Sequence, residues 1–229
     1  MKPIVLNSRL NKQQLWSGCL LASIAHAIMV AHYPEFSYEH SWDGDNYSVV
    51  DDSGGRGTIT FKENYCVGAF RSEQDTRPDM PTALDFFAGA PREVVELAKT
   101  ETLEYLLDQR EDGTISPSIT TAFWGDHETM TSVDHIVGLV QYGGYLLDRQ
   151  LMEPETAIES WRDYYDMTAE QVNLLKSIYE RKISNPHGSI VLSRGELEVI
   201  GAESPEGWRE SRTSFEEMGI DWEDDSLGK

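Results

Sequence analysis

Residues 41–61, SWDGDNYSVVDDSGGRGTITF, form a dense group of side chains that could do chemistry. Four aspartates, four glycines and one arginine occur in this short stretch, together with Trp42 and Tyr47. Three kinds of structure use such a composition. They are a calcium-binding loop, a phosphate-binding loop, and a β-hairpin whose turns need glycine and aspartate. Each makes a different prediction about spacing.

Neither a metal loop nor a phosphate loop fits this spacing. An EF-hand calcium loop starting at Asp43 needs an oxygen ligand at position 5, glycine at position 6 and glutamate at position 12. Those positions hold Tyr47, Ser48 and Gly54. The segment SGGRGT lacks the lysine of a phosphate loop, and it leads into TITF, which is typical of a strand rather than a helix. We therefore predict that this stretch holds no metal and no cofactor.

A hairpin accounts for the stretch better. Gly54, Gly55 and Gly57 adopt positive φ at little cost, and the step Asp43-Gly44 indicates a second tight turn. What folding alone does not explain is a display of acidic and aromatic side chains beside the turns, which would suit a basic protein partner. The candidate partner-binding residues are Trp42, Asp43, Asp45, Tyr47, Asp51, Asp52 and Arg56.

A second chemical possibility is a cysteine hydrolase. If Ser17 caps a helix, Cys19 lies in its first turn, where the helix dipole lowers a thiol pKa, with Gln13 upstream to bind the oxyanion. With the distant His135, these elements resemble the papain-like cysteine peptidases, which implies Cys19 as nucleophile and His135 as base. If the helix instead begins near Asn11, Cys19 lies in mid-helix and is a buried core thiol. The sequence leaves both possibilities open.

Charge is the strongest global signal. The 229 residues carry 40 acidic and 19 basic side chains, a net charge of −21, and only residues 1–61 are close to neutral. Such a field repels nucleic acid and anionic membranes and attracts basic proteins. Since 39% of residues are hydrophobic, a globular fold is expected. Without a run of about 18 apolar residues or a signal peptide, we expect a cytoplasmic protein whose two cysteines are free thiols.

The pattern of elements predicts an α+β fold in a single domain. KPIVLN predicts a strand, residues 11–33 a helix, and residues 36–71 an antiparallel meander. Residues 91–109 predict one helix, on which Glu101, Glu104 and Asp108 would form a solvated face. Residues 1–131 would form a mixed α+β part, residues 132–220 a mainly helical part, and residues 221–229 an acidic tail. The helical part would contain helices over 133–151, weakened at Gly143-Gly144, over 154–166, and over 168–183, which starts with a capping box between Thr168 and Gln171, and then a strand over 188–193.

The segment 41–61, the small size, the strong acidity and the lack of an enzyme signature together resemble the immunity proteins of bacterial polymorphic toxin systems. Those proteins are cytoplasmic α+β inhibitors that bind one cognate toxin domain, often a basic nuclease, and block its active site. The resemblance implies an inhibitory surface formed by the candidate partner-binding residues. Besides the cysteine hydrolase, a further alternative is an acidic anti-defence protein that mimics nucleic acid.

Overall fold

A computed structural model describes residues 2–7, 11–74, 77, 82–110 and 112–223. The chain forms two compact units. Unit 1 comprises residues 1–16 and 43–148, and unit 2 comprises residues 17–42 and 149–229. The α+β class predicted from the sequence is confirmed. A single domain remains a prediction.

Groups of strands and groups of helices follow one another along the described chain. Its strands are β1 (Ile4–Asn7), β2 (His40–Asp43), β3 (Asn46–Val50), β4 (Arg56–Phe61), β5 (Cys66–Arg71), β6 (Leu107–Gln109), β7 (Ile115–Pro117), β8 (Thr121–Gly125), β9 (Met130–Ser132), β10 (Ile190–Leu192) and β11 (Ile220–Trp222). Its α-helices are α1 (Lys12–Met29), α2 (Arg92–Thr100), α3 (Ile136–Gln141), α4 (Pro154–Tyr165), α5 (Ala169–Ser184), α6 (Arg194–Ile200) and α7 (Pro205–Glu217). Short 3-10 helices cover Pro34–Phe36, Ala83–Phe87, Thr102–Leu106 and Gly144–Leu147. Among the described residues, no helix has the length and apolarity needed to cross a membrane.

An antiparallel sheet organises unit 1. Within this unit the strand order is β1-β9-β8-β5-β4-β3, and the predicted meander supplies β3 to β5. Strands β4 and β5 are buried along almost their whole length, so both faces of the sheet are covered there. On one face, Val67 and Ala69 of β5 pack with Phe86, Phe87 and the buried side of α2 in a hydrophobic cluster.

The predicted helix over residues 91–109 is wrong in its second half. Helix α2 ends at Thr100, the chain continues as the 3-10 helix Thr102–Leu106, and β6 follows. Tertiary contacts explain the change. The buried Thr102 hydroxyl lies 2.7 Å from the Thr60 hydroxyl of β4, and Leu103 and Leu106 join the hydrophobic cluster. The three acids therefore do not share a helix face.

The glycine pair at 143–144 interrupts the next predicted helix, as expected. Helix α3 stops at Gln141, and Gly143 adopts a φ of +135°, which an L-residue rarely takes. The chain then forms the 3-10 helix Gly144–Leu147. The helix ends here because Gly143 can adopt this positive-φ backbone conformation.

Unit 2 contains the helices α4 and α5 that the sequence predicts, including the capping box between Thr168 and Gln171. The predicted strand near residue 190 is β10, which pairs in parallel with β11. Helix α6 was not predicted, although its Ser193–Glu196 capping box is a recognisable signal. Asp221 and Trp222, expected in the acidic tail, belong to β11, and residues 224–229 lie outside the described residues.

Two histidines are buried together in unit 2. The rings of His26 and His40 pack edge to face with centroids 5.4 Å apart, and His40 packs in the same way on Trp161. Burial lowers the pKa of His26 to about 4, although its Nε2 hydrogen bond with the Phe36 carbonyl opposes the shift. Burial also lowers the pKa of His40 well below its usual range. Both rings are therefore neutral in the folded protein at neutral pH.

Acid is expected to destabilise the fold through these histidines. Their folded pKa values lie below the unfolded value of 6.5, so the unfolded chain takes up protons first and stability falls as the pH drops from 6.5 toward 4. His26 should cost roughly 2 kcal/mol of unfolding free energy between about pH 7 and pH 5, and His40 should add a loss in the same direction. Denaturant unfolding at both pH values should show a smaller loss for His26→Gln than for the wild type. The same loss in both proteins would contradict this, and the exposed His187→Gln is the control.

Candidate functional site

The predicted hairpin over residues 41–61 is present, but its candidate residues do not form one patch. Strand β3 pairs with β4 in the register Asn46↔Thr60 to Val50↔Arg56. Asp43 and Asp45 lie before β3, and Asp51 and Asp52 lie after it. At about 3.3 Å per residue, the six steps from Asp45 to Asp51 separate the two pairs of acids by roughly 20 Å. Only one end of the strand can therefore belong to a small interface.

The two aromatic candidates are buried. Tyr47 is 0% exposed and Trp42 is 9% exposed. The Trp42 indole nitrogen donates a hydrogen bond to the Ser23 hydroxyl at 2.8 Å, inside unit 2. The prediction that these residues act as exposed anchors does not fit their burial. In β2, alternation places Trp42 on the buried face with His40, a pattern that is visible in the sequence.

Asp51 has a structural role in the β3–β4 turn. One carboxylate oxygen accepts hydrogen bonds from the Ser53 and Gly55 amides at 2.9 and 2.7 Å, and the other accepts one from the Tyr145 hydroxyl at 2.9 Å. Gly54 uses the expected positive φ, +84°. Gly55 is needed for a different reason, since a Cβ there would lie 2.4 Å from the Tyr145 hydroxyl.

The remaining two candidates at this end differ in exposure. Asp52 is exposed in the turn. Arg56 is half-buried at the start of β4, where it lies between Val50 and Arg71 on the neighbouring strands. Neither contributes to a group with Asp43 and Asp45 at the other end of the strand.

We predict that Asp51→Ala destabilises the folded protein by about 2 to 3 kcal/mol, because it removes three hydrogen bonds to a carboxylate and leaves the turn amides unpaired. Asp52→Ala should change stability by less than about 0.5 kcal/mol, as expected for an exposed position. Chemical denaturation of the two variants measures the difference. Equal stabilities would show that Asp51 does not hold the turn.

The structure contradicts the arrangement expected of a cysteine hydrolase. Cys19 is 0% exposed and is the eighth residue of α1, so it lies neither at a helix N-terminus nor at the surface. Gln13 lies exposed in the first turn of α1. His135 is exposed at the N-cap of α3, not on a strand. The burial of Cys19 agrees with the alternative of a core thiol.

The two cysteines are free, as predicted, and both are buried. Burial raises the pKa of the Cys66 thiol to about 12. We expect neither thiol to react with a thiol-specific reagent in the native protein near neutral pH, and both to react in denaturant. Mass spectrometry of the labelled protein checks this. Rapid native labelling of Cys19 would restore the hydrolase hypothesis.

A different residue, Tyr105, provides an exposed aromatic at the Asp43 end of the hairpin. It lies on the 3-10 helix Thr102–Leu106 and is 38% exposed. Its hydroxyl donates a hydrogen bond to Asp43 Oδ2 at 2.6 Å, and this bond is the main reason that the pKa of Tyr105 rises to about 12. The ring is therefore held in place while part of it faces solvent.

Carboxylates surround this tyrosine. Lys62 Nζ lies 2.8 Å from Asp45 Oδ2 and 3.4 Å from a Glu101 oxygen, and the Asp45 hydrogen bond raises its pKa. Glu101 also accepts a hydrogen bond from the Asn46 amide at 3.2 Å. Asp45 and Glu101 share this ammonium group, and Asp43 adds a third carboxylate bound to Tyr105, so the local charge remains negative.

Two exposed aliphatic side chains lie on the hairpin that follows Tyr105 in the chain. Strands β6 and β7 form a hairpin in the register Leu107↔Pro117, Asp108↔Ser116 and Gln109↔Ile115. Side chains opposite each other lie on one face, so Leu107 and Ile115 share a face while Asp108 lies on the other. Ile115 is 69% exposed and Leu107 is 38% exposed. The apolar face of this hairpin therefore points to solvent.

These features define a candidate interface, which we call the Tyr105 surface. It consists of Asp43, Asp45, Glu101, Glu104, Tyr105, Leu107 and Ile115. The sequence identified Asp43 and Asp45 but placed the residues from 101 to 107 on a helix. In the sequence, the adjacent pair Leu106-Leu107 is the one sign that the helix does not continue through this segment. Leu106 is buried and Leu107 is exposed.

No family model, curated protein or solved structure matches this chain. In the described part of the chain, no group of three or more histidine, cysteine or acidic side chains is arranged to hold a metal ion. Function must therefore be inferred from the geometry and charge of the described residues.

Proposed function

We propose that this protein binds a basic protein through the Tyr105 surface and inhibits it, as an immunity protein does with its cognate toxin. One observation carries the proposal: a hydrogen-bonded, partly exposed tyrosine lies in a group of carboxylates that outnumber their lysine, and two exposed aliphatic side chains occur on the hairpin that follows it in the chain. Protein interfaces commonly combine an aromatic or aliphatic centre with a charged rim. The centre supplies affinity, and the rim selects a partner of opposite charge.

The charge of the whole chain supports a basic partner. Unit 1 contains 20 acidic and 10 basic side chains, and unit 2 contains 20 and 9. A field of this sign accelerates association with a positively charged protein, and added salt weakens that acceleration. A basic active-site cleft, such as that of a nuclease, would meet the carboxylate rim directly.

The rigidity of Tyr105 also suits an inhibitor. Its hydrogen bond to Asp43 restricts the ring before any partner arrives, so less conformational entropy is lost on binding. Asp43 and Asp45 thus have two roles in this proposal. Asp43 positions the anchor, and both acids contribute to electrostatic attraction.

The test begins with purification of the protein with its bound partner from source cells at low salt, followed by binding kinetics with that partner. We expect a basic partner whose affinity falls as salt increases. Tyr105→Ala should speed dissociation by tenfold or more, because loss of an interface anchor costs about 2 kcal/mol. The double variant Asp43→Asn/Asp45→Asn should mainly slow association.

Matched variants distinguish the effect of the Tyr105 surface on binding from the effect of the net charge of the chain. Glu170→Gln/Glu180→Gln removes two exposed acids from α5 and changes the net charge equally, so it should slow association less than the Asp43/Asp45 pair. Tyr105→Phe keeps the ring and should bind more tightly than Tyr105→Ala. An acidic partner, or unchanged kinetics in Tyr105→Ala, would overturn the proposal.

A further inference from the structure

A cleft of about 320 Å³ lies in unit 1, and none of its lining residues belongs to the Tyr105 surface. Its walls include Thr82 and Ala83 at the start of a 3-10 helix, and Asp108, Arg110, Ser116 and Ile119 from β6, β7 and the adjoining chain. The volume falls at the lower end of the range for small-molecule sites, roughly 300 to 1,000 Å³. It would therefore suit a ligand smaller than a typical drug.

The polarity of the β6–β7 hairpin is the reverse of what burial alone would produce. Asp108, Arg110 and Ser116 line the cleft together with Gln109 and Pro117, whereas Leu107 and Ile115 lie outside its lining and are exposed. A hairpin that only covered a hydrophobic core would place its apolar face inward. The polar groups of this hairpin are instead directed to a space that a polar ligand could fill.

Arg110 is the cation of this cleft. Its Nε donates a hydrogen bond to the Ser116 hydroxyl at 2.6 Å, which orients the guanidinium and leaves the two terminal nitrogens as donors. No carboxylate among the described residues forms an ion pair with Arg110 within 4.0 Å. Arg110 also contributes to the lowered pKa of the exposed Asp112, but less than the hydrogen bonds from Thr114 do.

The one carboxylate that lines the cleft, Asp108, is ion-paired, although it shares its arginine with Glu73. Asp108 pairs with Arg71, and this contact is the main cause of its lowered pKa. Asp108 therefore competes little for Arg110 and repels an anion less than a free carboxylate would. The walls add the hydroxyl groups of Ser116 and Ser118 and the apolar side chains of Pro117 and Ile119.

We propose that this cleft binds a small organic carboxylate with a short aliphatic body. The terminal nitrogens of Arg110 would hold the two carboxylate oxygens as a bidentate pair, and the serine hydroxyls would donate further hydrogen bonds. The aliphatic part would contact Pro117 and Ile119. The carboxylate could belong to a free acid or to the C-terminus of a peptide, since both present the same group.

Isobutyrate and its neutral analogue isobutyramide provide a direct test. In NMR titrations of the whole protein, isobutyrate should shift the amide signals of residues 107–119, and isobutyramide should bind at least tenfold more weakly, because it lacks the charge that Arg110 recognises. Arg110→Gln should reduce isobutyrate affinity by about tenfold or more. Arg92→Gln, an exposed arginine of α2, should change the affinity by less than about twofold.

Two further measurements complete the test. Ser116→Ala releases the Arg110 side chain and should weaken binding less than Arg110→Gln does. N-acetylglycylvaline compares the two sources: tighter binding than isobutyrate supports a peptide C-terminus, and weaker binding supports a free acid. Equal binding of isobutyrate and isobutyramide, or unchanged binding in Arg110→Gln, would overturn the proposal.

Discussion

The packing of Phe70 is the constraint on which the sheet of unit 1 depends. This ring is fully buried in β5, stacks on Phe123 of β8 with centroids 5.8 Å apart, and lies opposite Gly57 of β4. A Cβ at Gly57 would lie 2.1 Å from the ring, and one at Gly143 would lie 2.6 Å from the Phe70 Cβ. Two glycines at distant positions are therefore required by one aromatic side chain.

The register that Phe70 sets determines which residues emerge at the ends of the strands. A slip of one residue would move every side chain of β4 to the opposite face and put the buried Ile59 on the face now occupied by the buried Thr58 and Thr60. With β4 in place, its pairing with β3 puts Asn46 beside Thr60, where their side chains hydrogen-bond at 2.6 Å. Asn46 then contacts Glu101, and Asp43 lies within reach of Tyr105. The charged surface is thus positioned by an apolar contact.

Local sequence signals were sufficient where one interaction decides the structure. Turn residues predicted the hairpin over 41–61, and the Thr168–Gln171 capping box predicted the start of α5. They were insufficient where a segment is buried from both sides. Alternation in β3 could not show that Tyr47 is covered, since that depends on strands and helices distant in sequence. The same reason explains why the helical pattern at 101–109 gave way to contacts with Thr60 and the hydrophobic cluster.

The β6–β7 hairpin shows why charge alone would be a poor guide to function here. A two-stranded hairpin is marginally stable by itself, so it needs support from the rest of the unit. That support comes from polar contacts, the Arg71–Asp108 pair and the hydrogen bond from the Ser118 amide to the Leu106 carbonyl. Because polar groups attach the hairpin to unit 1, the side chains of Leu107 and Ile115 face the solvent. Exposure of these two side chains loses the free energy that their burial would provide, and a bound partner would recover it.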